Sequence, residues 1–216
     1  MPVFNRAKVI SRALDDIIRE RETNYSNIEI VVIDGGSKDG TAEIVRGYGS
    51  QIDVFVSERD SGVAEAFNKG VRAAKGEIIR YIASDDEMIP GHTSRMVEYM
   101  VSNPEIDVLG AQSECFEISD DGAKKIIRQK INLQGGWMDL KEVISWSQAG
   151  VFAFIETWFM RRQVFDHAGY LDLKYRVATD TDFAFRLIKS GVKFFVRPEC
   201  ILQKYHYHDG SNNISN

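Results

Sequence analysis

The feature that most limits how this chain can fold is a short buried strand that ends in an acid. Residues 28–33 form a β-branched apolar run, followed at once by Asp34-Gly35-Gly36-Ser37. A continuous apolar run of this length reads as a strand covered on both faces, the kind found inside parallel sheets. Before it, residues 7–22 place Val9, Ile10, Ala13, Leu14, Ile17 and Ile18 at helical spacing. After it, residues 41–48 and 64–74 read as helices, and residues 53–57 and 77–83 as further strands. Strands alternating with helices predict an α/β fold with a mostly parallel central sheet.

Beyond Pro90 the pattern changes. Residues 92–102 read as a helix, and residues 107–118 and 124–131 as two strands around the turn Ser119-Asp120-Asp121-Gly122. Residues 180–189 read as a helix stopped by Gly191, residues 192–196 as a strand, and the tail from His206 as loose. The formal net charge is −5 and the basic residues are dispersed, so the basic stripe of a nucleic-acid binder is missing and no nucleic-acid partner is expected. Cys115 and Cys200 form no C-x-x-C and read as free thiols in a reducing compartment. No apolar run reaches the length of a bilayer span. The nearest, residues 143–160, is broken by Ser145, Ser147, Gln148 and Glu156 and reads as core. The expectation is a soluble cytoplasmic protein, compatible with peripheral contact at the inner membrane face.

Three groups of residues carry chemistry. Asp34 closes a buried strand, where open α/β sheets bind ligands, and its carboxylate suits a ribose hydroxyl or a base N–H. The glycines after it let the backbone approach a ligand. The same residues also make a good turn, with Asp39 capping the next helix. Ser84-Asp85-Asp86-Glu87 follows another buried strand, and clustered carboxylates there suit a hard cation such as Mg²⁺ or Mn²⁺. An acidic turn before Pro90 accounts for the same residues without a cation. Asp180 and Asp182 open an amphipathic helix, where an acid serves as a cap or as a general base.

Taken in order, these motifs resemble the family 2 glycosyltransferases. The resemblance runs from Pro2-Val3-Phe4-Asn5 through Asp34-Gly35-Gly36-Ser37-Lys38-Asp39-Gly40-Thr41, Asp60-Ser61-Gly62, Asn68-Lys69-Gly70 and Ser84-Asp85-Asp86. It continues through Phe159-Met160-Arg161-Arg162, Gly169-Tyr170-Leu171-Asp172 and Asp180-Thr181-Asp182 with Arg186, covering nearly the whole chain. It implies a GT-A, Rossmann-like fold in one domain, residues 1–216. Residues 1–90 would bind the nucleotide sugar, residues 91–205 the acceptor, and residues 206–216 would be a flexible tail.

It also implies inverting transfer from a nucleoside-diphosphate sugar, a UDP-sugar, to a glycan or lipid-linked acceptor in cell-surface polysaccharide synthesis. Pro2, Phe4, Asn5 and Asp34 would meet the nucleobase and ribose, and Asp60 and Lys69 would line the donor cleft. Asp85 and Asp86 would meet the diphosphate and the Mg²⁺ or Mn²⁺ ion, with Asp86 as the direct ligand and His208 as a further one. Asp180 would be the catalytic base. Two departures stand out. Many relatives have acids where this chain has Gly35 and Ala83, and in the family an apolar strand precedes the Pro-x-aromatic-Asn loop, which here begins at Pro2. The sheet is therefore expected to lack its first strand, and a truncated, weakly catalytic nucleotide-sugar-binding protein is the alternative. A dinucleotide oxidoreductase is disfavoured, because no G-x-G-x-x-G follows a strand.

Overall fold

The computed structural model describes residues 1–118, 124–126, 135–148 and 155–206. Three strands form a fully parallel sheet in the order β1 (Pro2–Val3), β2 (Val31–Asp34), β3 (Val54–Ser57). The connections are helices α1 (Ile10–Thr23) and α2 (Thr41–Gly47), as parallel neighbours require. Ile10, Leu14, Ile17 and Ile18 of α1 bury their shared face with Val3, Ile30, Val32 and Val45.

The place beside β2 is taken by the first residues of the chain. Ile33 donates its N–H to the Met1 carbonyl and Gly35 to the Val3 carbonyl, both at 2.9 Å, and the Met1 amino group donates to the Val31 carbonyl at 2.7 Å. Burial lowers the pKa of that amino group to about 5. The segment that sequence reads as loop thus supplies a two-residue strand, and the loop proper starts at Phe4.

The second sheet is mixed. Its path is β4 (Ile78–Arg80), β9 (Trp158–Arg161), β6 (Val108–Ile118), β10 (Phe194–His206) and β5 (Glu87–Met88), with β7 (Lys124–Ile126) on β6 and β8 (Gly136–Trp137) on β10. Among the described residues of this sheet, only β6 and β10 run parallel. The sequence reading sets β4 with the parallel strands; in the structure it pairs antiparallel with β9, Arg80 facing Phe159. Strand β9 is buried at Trp158, Phe159 and Met160, so no polar–apolar alternation marks it in the sequence. Gly110 on β6 lets β10 pack closely, since a Cβ there would stand 2.9 Å from the Phe194 ring.

Helices α3 (Val63–Ala73), α6 (Val164–Ala168) and α7 (Thr179–Lys189) share the largest core with β4, β6, β9 and β10, centred on Phe67, Trp158, Phe165, Phe183 and Phe194. Helix α4 (His92–Ser102) packs Met96, Val97 and Met100 against Leu109 and Phe159, while α5 (Leu140–Gln148) lies near α7.

Side chains bridge these elements. Asn68 of α3 donates to the Leu171 carbonyl at 2.9 Å and accepts the Leu171 N–H at 3.0 Å, tying the first half of the chain to the segment that leads into α7. Arg162 donates to the carbonyls of Val71, Ala74 and Gly76 and closes the C-terminus of α3. Arg161 donates to Met100 and Ile106, closing α4 in the same way. The Arg-Arg pair that sequence assigns to the acceptor side therefore ends two helices. Buried Glu20 accepts the N–H groups of Gly91 and Thr93 at the start of α4 and the Asn24 side-chain amide. His208 and the turn at residues 119–122 lie outside the described residues. No described helix is long and apolar enough to cross a membrane.

Candidate functional site

The loops at the C-terminal ends of β1, β2 and β3 are joined by hydrogen bonds from the chain itself. Asp34 ends β2 with 0% exposure. One carboxylate oxygen accepts the Ser37 hydroxyl at 2.5 Å and the other the Ser57 hydroxyl at 2.6 Å, with the Ser37 N–H 3.2 Å from both. A ribose reaching Asp34 would have to replace one of these serines. Ser37 in turn accepts the Asn5 N–H at 2.8 Å, and Asn5 Oδ1 accepts the Lys38 N–H at 3.0 Å. Asn5 makes this clasp with φ of +51°, a conformation that asparagine tolerates better than most residues. Asp39 accepts the N–H groups of Ala7 and of Thr41, the first residue of α2, whose N-cap position is held by Gly40. Phe4 stands 38% exposed on the surface of this clasp, whereas Pro2 is buried inside β1. Of the predicted base-side residues, Phe4 and Asn5 are open to a ligand.

The loop after β3 brings Asp60 against Gly35. A Cβ on Gly35 would stand 2.8 and 3.0 Å from the two Asp60 carboxylate oxygens. The acid expected at position 35 by family likeness would collide with one already supplied from position 60. Burial raises the Asp60 pKa, against the Gly62 N–H and Lys69, which lower it. Lys69 reaches Glu58 at 2.8 Å and Glu65 at 3.1 Å, so its charge braces this loop.

The second set of groups gathers where β4 ends. Because β9 runs antiparallel to β4, the chain enters β9 at the edge where it leaves β4, and a 3-10 turn at Ile155–Thr157 sits there. The start of α7 reaches the same edge: the Ile155 N–H points at Asp180 Oδ2, 3.4 Å away. Buried Tyr81 registers the convergence. Burial raises its phenol pKa well above the usual value, and the charges of Glu156, Asp86, Asp180 and Asp85 add to that, in this order.

Each of these carboxylates is under different constraint. Asp86 is 1% exposed, and burial followed by the neighbouring Asp85 pushes its pKa well up, with Arg80 and Arg12 opposing. The Asp85 side chain is 21% exposed, 4.0 Å from Arg6, and its backbone carbonyl accepts Arg12 at 2.9 Å. Burial also raises Asp180, against a Thr179 hydroxyl donated at 3.0 Å and the Ile155 N–H. Asp182 turns the other way and holds Arg186 through two nitrogens, at 2.8 and 2.9 Å. The helix thus assigns its two acids, one to the edge and one to its own flank. Ala178, just before α7, has φ of +61°, and with Asn5 it is one of two non-glycine residues with positive φ among the described residues. Such strain, two residues before Asp180, is held by the surrounding structure. Sequence reading passed over Glu156, because a single acid in an apolar run looks like an interruption of core. Burial, then Asp180 and Asp86, push its pKa well up.

Among the described residues no three acidic, histidine or cysteine side chains are close enough to cage a metal ion. Mg²⁺ and Mn²⁺ sites of the kind that keep waters and share substrate phosphates need only one or two carboxylates. Asp85 and Asp86 supply that number, and the burial and neighbouring charge that raise Asp86 are what a cation would offset. The donor set fits such an ion, with Asp85 as its accessible member.

A model of the family described as "Glycosyl transferase family 2" matches residues 1–169. A "PGL/p-HBAD biosynthesis glycosyltransferase" of Mycobacterium bovis is 26% identical over 99% of this chain and 77% of its own length. An uncharacterized glycosyltransferase of Rickettsia typhi is 32% identical over half of this chain and 33% of its own length. Among solved structures, S. aureus TarS 1-349 in complex with UDP-GlcNAc superposes with a TM-score of 0.74 at 17% identity, over 97% of this chain. Mannosyltransferase PcManGT from Pyrobaculum calidifontis, in complex with GDP-Man and Mn²⁺, superposes with a TM-score of 0.68 at 18% identity, over 99% of this chain. The chain spans 58% and 56% of the length of those two structures. The fold is shared with them.

Proposed function

This chain belongs to glycosyl transferase family 2, and from that premise we propose that it moves a sugar from a nucleoside-diphosphate donor to an acceptor hydroxyl with inversion. The observation that carries the proposal is the division of labour at one edge. Asp85 and Asp86 stand at the end of β4, Asp180 faces them from α7, and Asp182 is withdrawn to Arg186.

Asp180 accepts the proton of the acceptor hydroxyl. The acceptor oxygen bonds to the anomeric carbon, and the bond from that carbon to the diphosphate oxygen breaks on the opposite face. A carboxylate raised by burial is a better general base than a solvated one, because its pKa lies closer to working pH. The Thr179 hydroxyl and the Ile155 N–H hold its oxygens in place. Mg²⁺ or Mn²⁺, held by Asp85 with Asp86, would supply positive charge to the departing diphosphate. Phe4 and Asn5 offer the exposed surface for the base, and Asp60, braced by Lys69, flanks the donor. The donor complexes of TarS and PcManGT support a nucleotide sugar as ligand. A glycan or lipid-linked acceptor, met at a membrane surface, is supported by the loop before α7. There Leu173, Tyr175 and Val177 are exposed, with Lys174 and Arg176 between them.

Calorimetry with UDP-glucose, UDP-galactose, UDP-GlcNAc and GDP-mannose, each with Mn²⁺ or with EDTA, tests this reading. One donor should bind with Mn²⁺ and lose at least about tenfold in affinity with EDTA. Equal affinity in both removes the cation from Asp85 and Asp86, and no binding by any of the four removes the donor reading. Binding without any turnover would leave the weakly catalytic alternative.

A further inference from the structure

Glu156 has no part in the reaction as described, yet it lies near both of its working groups. Its 3-10 turn leads into β9 at the edge where β4 ends, and the residue before it donates its N–H toward Asp180. The charges that act on it are those of Asp180, Asp86 and Asp85. It therefore stands near both the candidate base and the candidate diphosphate end.

Its hydrogen bonding separates it from the other buried acids. Asp34 accepts two serine hydroxyls, and Glu20 accepts two backbone N–H groups and an amide. Glu156 is half-buried as a whole, and its Oε2 is sealed from solvent with no hydrogen-bond partner among the described residues. A buried carboxyl oxygen without a donor is costly, and donors from the chain itself would remove that cost, as they do for Asp34. Here the charged neighbours are themselves carboxylates. A ligand rich in hydroxyl groups brings the missing donors with it.

We propose that Glu156 is a sugar-recognition residue, whose carboxyl accepts a hydrogen bond from a ring hydroxyl of the donor's glycosyl unit. This inference rests on the donor reading above. It assigns to Glu156 the margin by which a nucleotide sugar binds more tightly than the bare nucleotide, and it leaves the nucleotide to the loops around Phe4, Asn5 and Asp60. Where one carboxyl oxygen carries a proton, the other still accepts, so the contact does not depend on which form is present.

The test compares UDP with UDP-glucose, UDP-galactose and UDP-GlcNAc, and GDP with GDP-mannose, by calorimetry in Mn²⁺. The proteins are the unaltered chain, Glu156→Ala and Glu156→Gln. The unaltered chain should bind its preferred nucleotide sugar at least about tenfold more tightly than the nucleotide, the effect of one good hydrogen bond. Glu156→Ala should erase most of that margin and leave nucleotide affinity within about twofold, whereas Glu156→Gln, which keeps an acceptor oxygen, should retain part of it. If Glu156→Ala does not fold, a partial loss of the margin in Glu156→Gln carries the comparison. Equal losses for nucleotide and nucleotide sugar, or no loss in either variant, overturn the inference. An unaltered chain with no margin overturns it too, while leaving the donor reading in place. A chain that binds neither ligand fails that reading itself.

Discussion

Asp34 and Asp180 are both acids at the rim of the same fold, and the chain treats them in opposite ways. Asp34 is enclosed by donors: Ser37, Ser57 and a backbone N–H meet its carboxylate, and Asn5 and Lys38 extend the clasp to the next loop. At the end of β4, Asp86, Glu156 and Asp180 stand near one another, and burial raises the pKa of all three. The first region is complete without a ligand. In the second, burial works against the charged form of each acid, which a cation, a proton or a hydroxyl-rich ligand would relieve. The difference between the two regions lies in where the hydrogen-bond donors are, since the acids are chemically alike.

Four substitutions probe that contrast. Asn68 joins the two regions, and Asn68→Ala leaves the N–H and carbonyl of Leu171 buried without partners. A loss of about 2–4 kcal/mol is expected, read by urea unfolding. A change below about 0.5 kcal/mol would mean that the halves are held together elsewhere.

The same amidation should act in opposite directions on the two sides. Asp34→Asn weakens the acceptor shared by Ser37 and Ser57 and should cost about 1–3 kcal/mol. Glu156→Gln should raise the melting temperature, and by more at pH 8 than at pH 6. A carboxyl whose folded pKa lies above its unfolded value binds more protons when folded, so its contribution to stability falls as pH rises through that interval. Glutamine does not titrate and removes that fall. If both variants lose stability equally, the two regions do not differ as described.

The smallest effect is the subtlest. The Thr179 hydroxyl lowers the Asp180 pKa, so in Thr179→Val the acidic limb of the pH–rate profile should move to higher pH. An unmoved limb would assign it to another group.

The sequence conveyed the region around Asp34 better than the one around Asp180, for physical reasons. Helices α1, α2, α3, α4 and α7 are amphipathic, and β2 and β3 are short β-branched runs closed by turn residues, so periodicity exposes them. Strand β9 is apolar on both faces and follows a broken apolar stretch, and the two-residue strands β5 and β8 are too short to carry a period. The acids after β4 were visible as a cluster, but their accessibility was not: sequence favours Asp86 as the direct ligand, and the fold seals it and leaves Asp85 more open. Glu156 is brought to the site by an antiparallel pairing that no local signal announces. Conversely, Arg161 and Arg162 stand in sequence as part of the family resemblance and prove to be helix caps, a role set by carbonyls far away in sequence.

The central claim is that α7 sends Asp180 to the reacting edge and keeps Asp182 for its own flank. Turnover and donor affinity, measured side by side for Asp180→Asn and Asp182→Asn, test it most directly. Asp180→Asn should lower turnover by about 10²–10⁴-fold, the worth of a general base, with donor affinity changed by less than about twofold. Asp182→Asn should keep most turnover and lose only the stability contributed by its contact with Arg186. Full turnover in Asp180→Asn, or a collapse in Asp182→Asn at unchanged stability, would contradict the account.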